Sequence, residues 1–207
     1  MKELPELIIA IQKGRVLDKF LDLIKETRFQ LKKNPKKTRK ILIDTNTPNI
    51  KVLVVRGWDI PTYVSSGIAH LGIVGKDIIM EKESEEFIEL EDLSICKCRL
   101  SLAAKSLNFN RKSKLKVATK YPNIAKTFLE EKGLQSDIIY LHGSQEIAPE
   151  MGLSDVIIDL VDSGKTLKEN GLKEIEVVRD ISTRLIANIA SLKTKKNLIE
   201  DFMSSFN

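Results

Sequence analysis

A mixed α/β architecture is what the chain predicts, on three observations. Short apolar runs rich in isoleucine and valine recur along the 207 residues. They alternate with stretches of helical periodicity, and prolines and glycines punctuate the boundaries. Leu7 to Ile11 reads as the first strand, and Arg15 to Lys25 as an amphipathic helix with Val16, Phe20, Leu23 and Ile24 on one side. Ile41 to Ile43, Val52 to Val55 and Leu71 to Val74 continue the strands. Pro61 and Gly67 bracket a short helix ahead of Gly72, and Pro122 and Gly133 bracket a longer one, proline first and glycine last as helix ends favour. Val156, Ile157 and Ile158 read as a buried strand, followed by a helical pattern from Leu167 to Asn170. An acidic run, EKESEEFIELEDLS from Glu81, precedes the strand-like CRLSLAA, and a domain crossing is placed there, near Leu93. No repeat or low-complexity segment stands out.

Composition narrows the function classes. With 42% hydrophobic and 30% charged residues the chain is ordinary for a soluble globular protein and long enough to bury a good core. No apolar run approaches the roughly 18 residues of a membrane span, and MKELPELIIA carries too short an apolar segment for a secretory signal, so a cytoplasmic protein with no membrane partner is expected. The net charge of +5 favours anionic ligands. Nucleic acid would suit that charge too, and in KKNPKKTRK, Lys32 to Lys40, six of nine residues are cationic. No aromatic residue lies inside that cluster to stack a base. It reads as a solvated loop between a helix and a strand, and no nucleic-acid partner is expected.

Cysteine and histidine exclude further chemistry. Cys96 and Cys98 stand one residue apart on an expected strand, facing the same way, but a Cys-x-Cys pair with only His70 and His142 elsewhere is poor zinc spacing. Reduced structural thiols are the better reading. Neither histidine has a serine or cysteine partner in a nucleophile motif.

The most informative stretch is EIAPEMGLSDVIIDLVDSGKTL, from Glu146 to Leu167. Its strand exits in Asp159 and Asp162, and Ser163, Gly164, Lys165, Thr166 and Leu167 open onto the helix. A helix start presents unpaired N–H groups and a positive dipole end, a seat for a phosphate monoester. Glycine lets the backbone approach an anion closely, and Ser163 and Thr166 add hydroxyl donors. The Gly-Lys-Thr triplet invites comparison with a nucleoside-triphosphate loop, which needs a glycine five positions before Gly164; Asp159 stands there instead. An acid at that point accepts hydrogen bonds from both hydroxyls of a ribose, so ribose 5-phosphate is the better ligand.

Within this stretch Glu146, Gly152, Ser154, Asp159, Gly164 and Thr166 fall in one register that resembles the signature of the ATP phosphoribosyltransferases. The likeness extends through AIQKGRVLDKFLDLIKE, VLVVRGWDIPTYVSSGIAHLGIVGKDIIMEK, CRLSLAA, KVATKYPNIAKTFLEEKG and on to DISTRLIAN, in the family's order. It implies an enzyme, a pentosyltransferase joining ATP to phosphoribosyl pyrophosphate at the first step of histidine biosynthesis. The implied fold is α/β and two-lobed, resembling type II periplasmic binding proteins. Its first domain is discontinuous: residues 1–92 plus 180–207 form domain I, and 93–179 an inserted domain II carrying the sugar-phosphate loop. Family members commonly have proline at Gln12 and acids at Ser65 and His70, near the expected nucleotide site.

The reaction builds positive charge on the ribose and negative charge on departing pyrophosphate, so cations are needed beside the latter. Lys13 and Arg15, with Gly14 between them, follow the first strand and suit that task, as does Arg39 by the resemblance. Arg56 ends VLVV and can fork onto phosphate; a structural salt bridge to Asp59, read as a helix cap, is the alternative. Gly75, Lys76 and Arg99 complete the candidates for pyrophosphate or nucleotide, and Asp159, Lys13 and Arg56 are the expected catalytic residues. Magnesium is expected as Mg2+ carried mainly by the substrates, without a dedicated protein cage. After Asn188 the sequence reads as one helix, Leu192 to Phe202, with no room for the regulatory domain of the family's long members. That implies the short form, a homodimer within a hetero-oligomer that includes a separate regulatory subunit resembling histidyl-tRNA synthetase. A purine-type phosphoribosyltransferase could share the Asp-Ser-Gly-Lys-Thr loop but not the KGR, DIPTYV and VATKYPN segments, and a solute-binding domain could share the architecture without needing the loop.

Overall fold

The computed structural model describes residues 7–106 and 114–205. The residues ahead of Leu7, part of the segment read above for a secretory signal, lie outside the described residues. The chain divides into two compact units, Met1–Cys96 with Ser182–Asn207, and Lys97–Ile181.

The first unit contains β1 (Leu7–Gln12), α1 (Arg15–Leu23), β2 (Leu42–Asp44), β3 (Ile50–Val55), α2 (Ile60–Ser65), β4 (Leu71–Gly75), α3 (Lys76–Glu81) and β5 (Phe87–Asp92). The second contains β6 (Cys98–Ala104), β7 (Leu115–Thr119), α4 (Pro122–Glu131), β8 (Ser136–Tyr140), β9 (Val156–Val161), α5 (Lys165–Glu169) and β10 (Lys173–Ile181). The chain then returns to the first unit with β11 (Thr183–Asn188), α6 (Ile189–Thr194) and α7 (Lys196–Met203).

The six-stranded sheet of the first unit has the order β2-β3-β1-β4-β11-β5. Strand β1 lies parallel to β3 and β4, while β2, β11 and β5 run antiparallel to their neighbours. The sheet is covered on both faces, so its central strands are apolar on both sides. Ile9, Ile11, Leu71 and Ile73 pack with Phe20, Phe29, Ile199 and Phe202, while Ala10 and Ile186 pack with Ile60, Val64 and Ile78. Gly72 belongs on β4 because α2 crosses there: a Cβ would stand 2.7 Å from Ile60 Cγ2 and 2.9 Å from Val64 Cγ2. In α1 the buried stripe is Val16, Leu17, Phe20 and Ile24, whereas Leu23, expected inside, is 36% exposed. The expected helix to Lys25 stops at Leu23, with Ile24 as its C-cap. The single C-terminal helix expected from Leu192 to Phe202 is two, because Lys195 leaves helical geometry at φ −128°, ψ 24°.

The second unit holds a five-stranded sheet ordered β10-β6-β9-β7-β8. Val156, Ile157 and Ile158 on the central β9 are fully buried, as is Ala125 of α4. The crossings between units fall at Lys97 and Ser182, a few residues beyond Leu93 and Arg179. Hydrogen bonding sets them. Arg179 still pairs with Leu100 and Ile181 with Cys98 in the β10–β6 ladder, whereas Leu93 N–H bonds the Thr183 carbonyl at 3.0 Å and Thr183 N–H the Ile95 carbonyl at 3.0 Å. Cys96 therefore precedes the strand that Cys98 opens, in left-handed geometry at φ 54°, and the two thiols do not share a strand; neither is in a disulfide.

Candidate functional site

Strand β9 delivers the acid-and-glycine loop of the second unit. It is flanked by antiparallel β6 and parallel β7; the β7 ladder ends at Ile158, and the β6 ladder carries Asp159, with Ser101 directly opposite. Asp159 is half-buried, and its Oδ1 accepts the Leu160 N–H at 2.8 Å. Asp162 and Ser163 are exposed, and Gly164 turns the chain at φ 75°, ψ 3°, the left-handed region where a side chain is costly. Ser163 Oγ accepts the Lys165 N–H at 3.4 Å, and the first intrahelical bond runs from Lys168 N–H to the Gly164 carbonyl at 3.1 Å. Helix α5 has only five residues, so its dipole is small. Leu167 is buried at 6% exposure, so it anchors α5 and offers a ligand only its backbone. Lys165 and Thr166 are exposed; the Lys165 ammonium lies 3.8 Å from Glu169.

Arg99, expected on the nucleotide side, is committed within this unit. Its Nε and Nη2 donate to the two carboxylate oxygens of Glu174 at 2.5 and 2.6 Å, and its Nη1 donates to the Asp162 carbonyl at 3.0 Å. Those bonds hold the Glu174 carboxyl below its ordinary range and raise the Arg99 guanidinium above its own.

The first unit gathers cations at the C-terminal ends of its parallel strands. Lys13 N–H donates to the Val55 carbonyl at 2.9 Å, tying the turn after β1 to the end of β3, where Arg56 follows. Gly14 has φ 90°, ψ −141° and opens α1, whose Asp18 N–H bonds its carbonyl at 3.0 Å. A pocket of about 610 Å³ lies here, lined among others by Lys13, Gly14, Arg39, Lys40, Arg56 and Asp59. The side chains of Lys13, Arg39, Lys40 and Arg56 have no intramolecular hydrogen-bond or ion-pair partner among the described residues. The alternative Arg56–Asp59 bridge is thus not formed. The basic cluster is a wall of this pocket and not simply a solvated loop: Lys36 also lines it, bound to Asp18 of α1 at 2.8 Å. Lys36 and Lys40, both exposed, were not singled out in sequence because only the fold brings them to the pocket wall. Arg15 is exposed and does not belong to the lining.

Gly75 and Lys76 form a third turn. Gln12 Oε1 accepts the Gly75 N–H at 3.3 Å. Lys76 is ion-paired with Glu89, which also contacts Arg184 at 3.1 Å, and Arg184 reaches Asp92 at 3.1 Å. Lys76 is therefore engaged in a polar network on β5 and β11, and pocket and turn are separate places. His70 is separate again. It precedes β4, at the opposite end of the strand from Gly75, and its Nδ1 accepts the Ile8 N–H at 2.8 Å. Burial pushes its pKa below the ordinary 6.5. Ser65 Oγ meets Ser84 Oγ at 3.2 Å. Both substitutions serve packing contacts within the first unit.

Among the described residues no three His, Cys, Asp or Glu side chains cluster so as to hold a metal ion, and no helix is long and apolar enough to cross a membrane. The fold and these two surfaces define an α/β protein of two units, each presenting to solvent groups suited to anions. Comparison with known proteins makes the assignment specific. The profile described as ATP phosphoribosyltransferase matches residues 56–207. The ATP phosphoribosyltransferase of Hahella chejuensis is 48% identical over 187 residues, covering 90% of this chain and 89% of that one. A chain of the ATP phosphoribosyl transferase (HisG:HisZ) complex from Thermotoga maritima superimposes with a TM-score of 0.85 at 33% identity, over 97% of this chain and 96% of its own. The periplasmic aliphatic sulphonate binding protein SsuA from Escherichia coli shares the fold, with a TM-score of 0.59 at 14% identity over 97% of this chain and 67% of its own. The chain belongs to the ATP phosphoribosyltransferase family, pentosyltransferases of the first step of histidine biosynthesis.

Proposed function

We propose that this chain transfers the phosphoribosyl group of phosphoribosyl pyrophosphate to a ring nitrogen of the adenine of ATP. The bond from the anomeric carbon to pyrophosphate breaks as the bond to nitrogen forms, and pyrophosphate leaves with the electron pair. The observation that carries this reading is the segment from Asp159 to Thr166, where a half-buried carboxylate in the second half of β9 precedes a turn at a left-handed glycine. In this reading the 5′-phosphate sits on the N–H and hydroxyl groups of Ser163 to Thr166, and Asp159 accepts the ribose hydroxyls. Lys13, Arg39 and Arg56, with Lys40, take the pyrophosphate and triphosphate charge, and Gly14 leaves room for it. Asp162 supports the sugar-phosphate loop, and Gly75 and Lys76 form a separate turn assigned a supporting part in nucleotide binding. The adenine nitrogen carries its own lone pair, so acceleration comes from positioning and charge stabilisation and needs no protein base. Magnesium arrives on the substrates' phosphate and ribose oxygens.

The working assembly is a homodimer inside a hetero-oligomer with a histidyl-tRNA-synthetase-like regulatory subunit, in the cytoplasm; the likeness to a chain of the Thermotoga maritima HisG:HisZ complex supports the regulatory partner. Mass spectrometry of the purified chain with ATP, phosphoribosyl pyrophosphate and magnesium tests the reaction. Phosphoribosyl-ATP and pyrophosphate are expected, with turnover rising when the regulatory subunit is added. Product from adenine or hypoxanthine instead of ATP, or none under either condition, would overturn the proposal.

A further inference from the structure

The sugar-phosphate loop is too short to hold its own shape. Between the end of β9 and the start of β10 lie a turn and the five-residue α5, less than a helix needs for independent order. One guanidinium spans both ends of this segment. Arg99 of β6 donates to the Asp162 carbonyl at the loop's entry, at 3.0 Å, and forks onto Glu174 just past its exit, at 2.5 and 2.6 Å. Ser101, fully buried and directly opposite Asp159, donates to the same Glu174 oxygen at 2.7 Å. A register shift in the β10–β6 ladder falls between Glu174 and Glu176, the kind of irregularity that re-aims a side chain. The forked geometry is specific to arginine and carboxylate, and a lysine cannot make all three bonds in this plane.

We propose that Arg99 and Glu174 are positioning residues for the phosphoribosyl donor. They fix the distance between the Asp162 carbonyl and the start of β10, and so hold the N–H groups of Ser163 to Thr166 in the arrangement that accepts a phosphate. This rests on the assignment of that loop to the 5′-phosphate.

The experiment compares Arg99→Lys, Glu174→Gln and the double variant with the unaltered chain, assembled with its regulatory subunit. KM for each substrate, kcat, thermal unfolding and direct calorimetric binding of ribose 5-phosphate are measured. Each single variant is expected to unfold near the wild-type temperature and to raise KM for the donor about tenfold, the loss of one charge-assisted hydrogen bond, with KM for ATP within about twofold. The double variant should match the singles, because the two residues act as a unit. Wild-type binding of ribose 5-phosphate with unchanged donor KM in both variants would overturn the proposal while leaving the functional reading intact. Equal rises in both KM values would also overturn it. Failure of the unaltered chain to bind ribose 5-phosphate or the donor would remove the functional reading, and the proposal with it. The two single substitutions are read independently, so one that folds decides.

Discussion

Replacing Gly164 by alanine isolates the backbone's share in binding the donor. At φ 75° the residue is left-handed, and the nearest atom to an added Cβ is Val161 Cγ1 at 3.9 Å, an ordinary contact. Crowding therefore contributes nothing, and the cost is conformational, about 1–2 kcal/mol for an L-residue held there. Alanine also stiffens the unfolded chain, which returns about 0.4–1 kcal/mol. The net loss is about 1 kcal/mol, or about 2–4 °C in unfolding temperature for a chain of this size. Gly171 supplies the matched control, because it is left-handed at φ 66° with nothing within 4 Å of an added Cβ, but it lies at the far end of α5. Both variants should lose similar stability by thermal unfolding. Only Gly164→Ala should raise KM for phosphoribosyl pyrophosphate, by about tenfold, because relief of strain turns the phosphate-facing N–H groups away. Equal donor KM in the two variants, whether both unchanged or both raised, would refute the claim that this turn's backbone holds the phosphate.

Other expectations follow the same logic. Asp159→Asn keeps the size and loses the charge, so turnover should fall by about 10²-fold or more with the fold intact; wild-type-like kinetics would remove the residue from the mechanism. Arg56→Ala removes an exposed cation with no internal partner among the described residues, so unfolding temperature should hold while kcat/KM falls by about 10²–10³-fold, checked by steady-state kinetics and calorimetry. His70 has a folded pKa below the 6.5 of the free side chain. The unfolded chain therefore takes up the proton first, and stability present above about pH 6.5 is lost as pH falls toward the folded value. His70→Gln should flatten the unfolding temperature against pH between about pH 7.5 and 5.5, and an unchanged slope would contradict this. Asn188 caps α6 through the Ser191 N–H at 2.9 Å and donates to the Val64 carbonyl at 3.0 Å, so Asn188→Ala should cost about 2–4 kcal/mol by denaturant unfolding.

The sequence was most legible where one local pattern carried the meaning. The apolar β9 and the turn at Asp162 and Gly164 appear as expected because strand, acid and glycine are contiguous, although the strand continues past Asp159 to Val161. Pro122 and Pro61 mark the starts of α4 and α2 for the same reason. Where tertiary contact decides, pattern fails. Lys36 and Lys40 look like solvated charges until Asp18 draws their segment against α1. Arg99 looks like a free ligand for phosphate until β10 brings Glu174 beside it, 75 residues away. The acidic FIELED reads only as part of the run ahead of a domain crossing, yet it is the edge strand β5, where charges discourage further pairing. Leu23 and Leu17 exchange roles because a helical stripe fixes its phase only against a partner surface. His70 is expected near the nucleotide from the resemblance alone, and the strand β4 sets it at the opposite end from Gly75.

The most direct test of the whole account is a crystal structure of the chain with phosphoribosyl pyrophosphate and magnesium. The account predicts the 5′-phosphate on the N–H groups of Ser163 to Thr166 and the ribose hydroxyls on Asp159. A donor bound with its 5′-phosphate in the pocket of Lys13, Arg39 and Arg56, and nothing on the glycine loop, would contradict it.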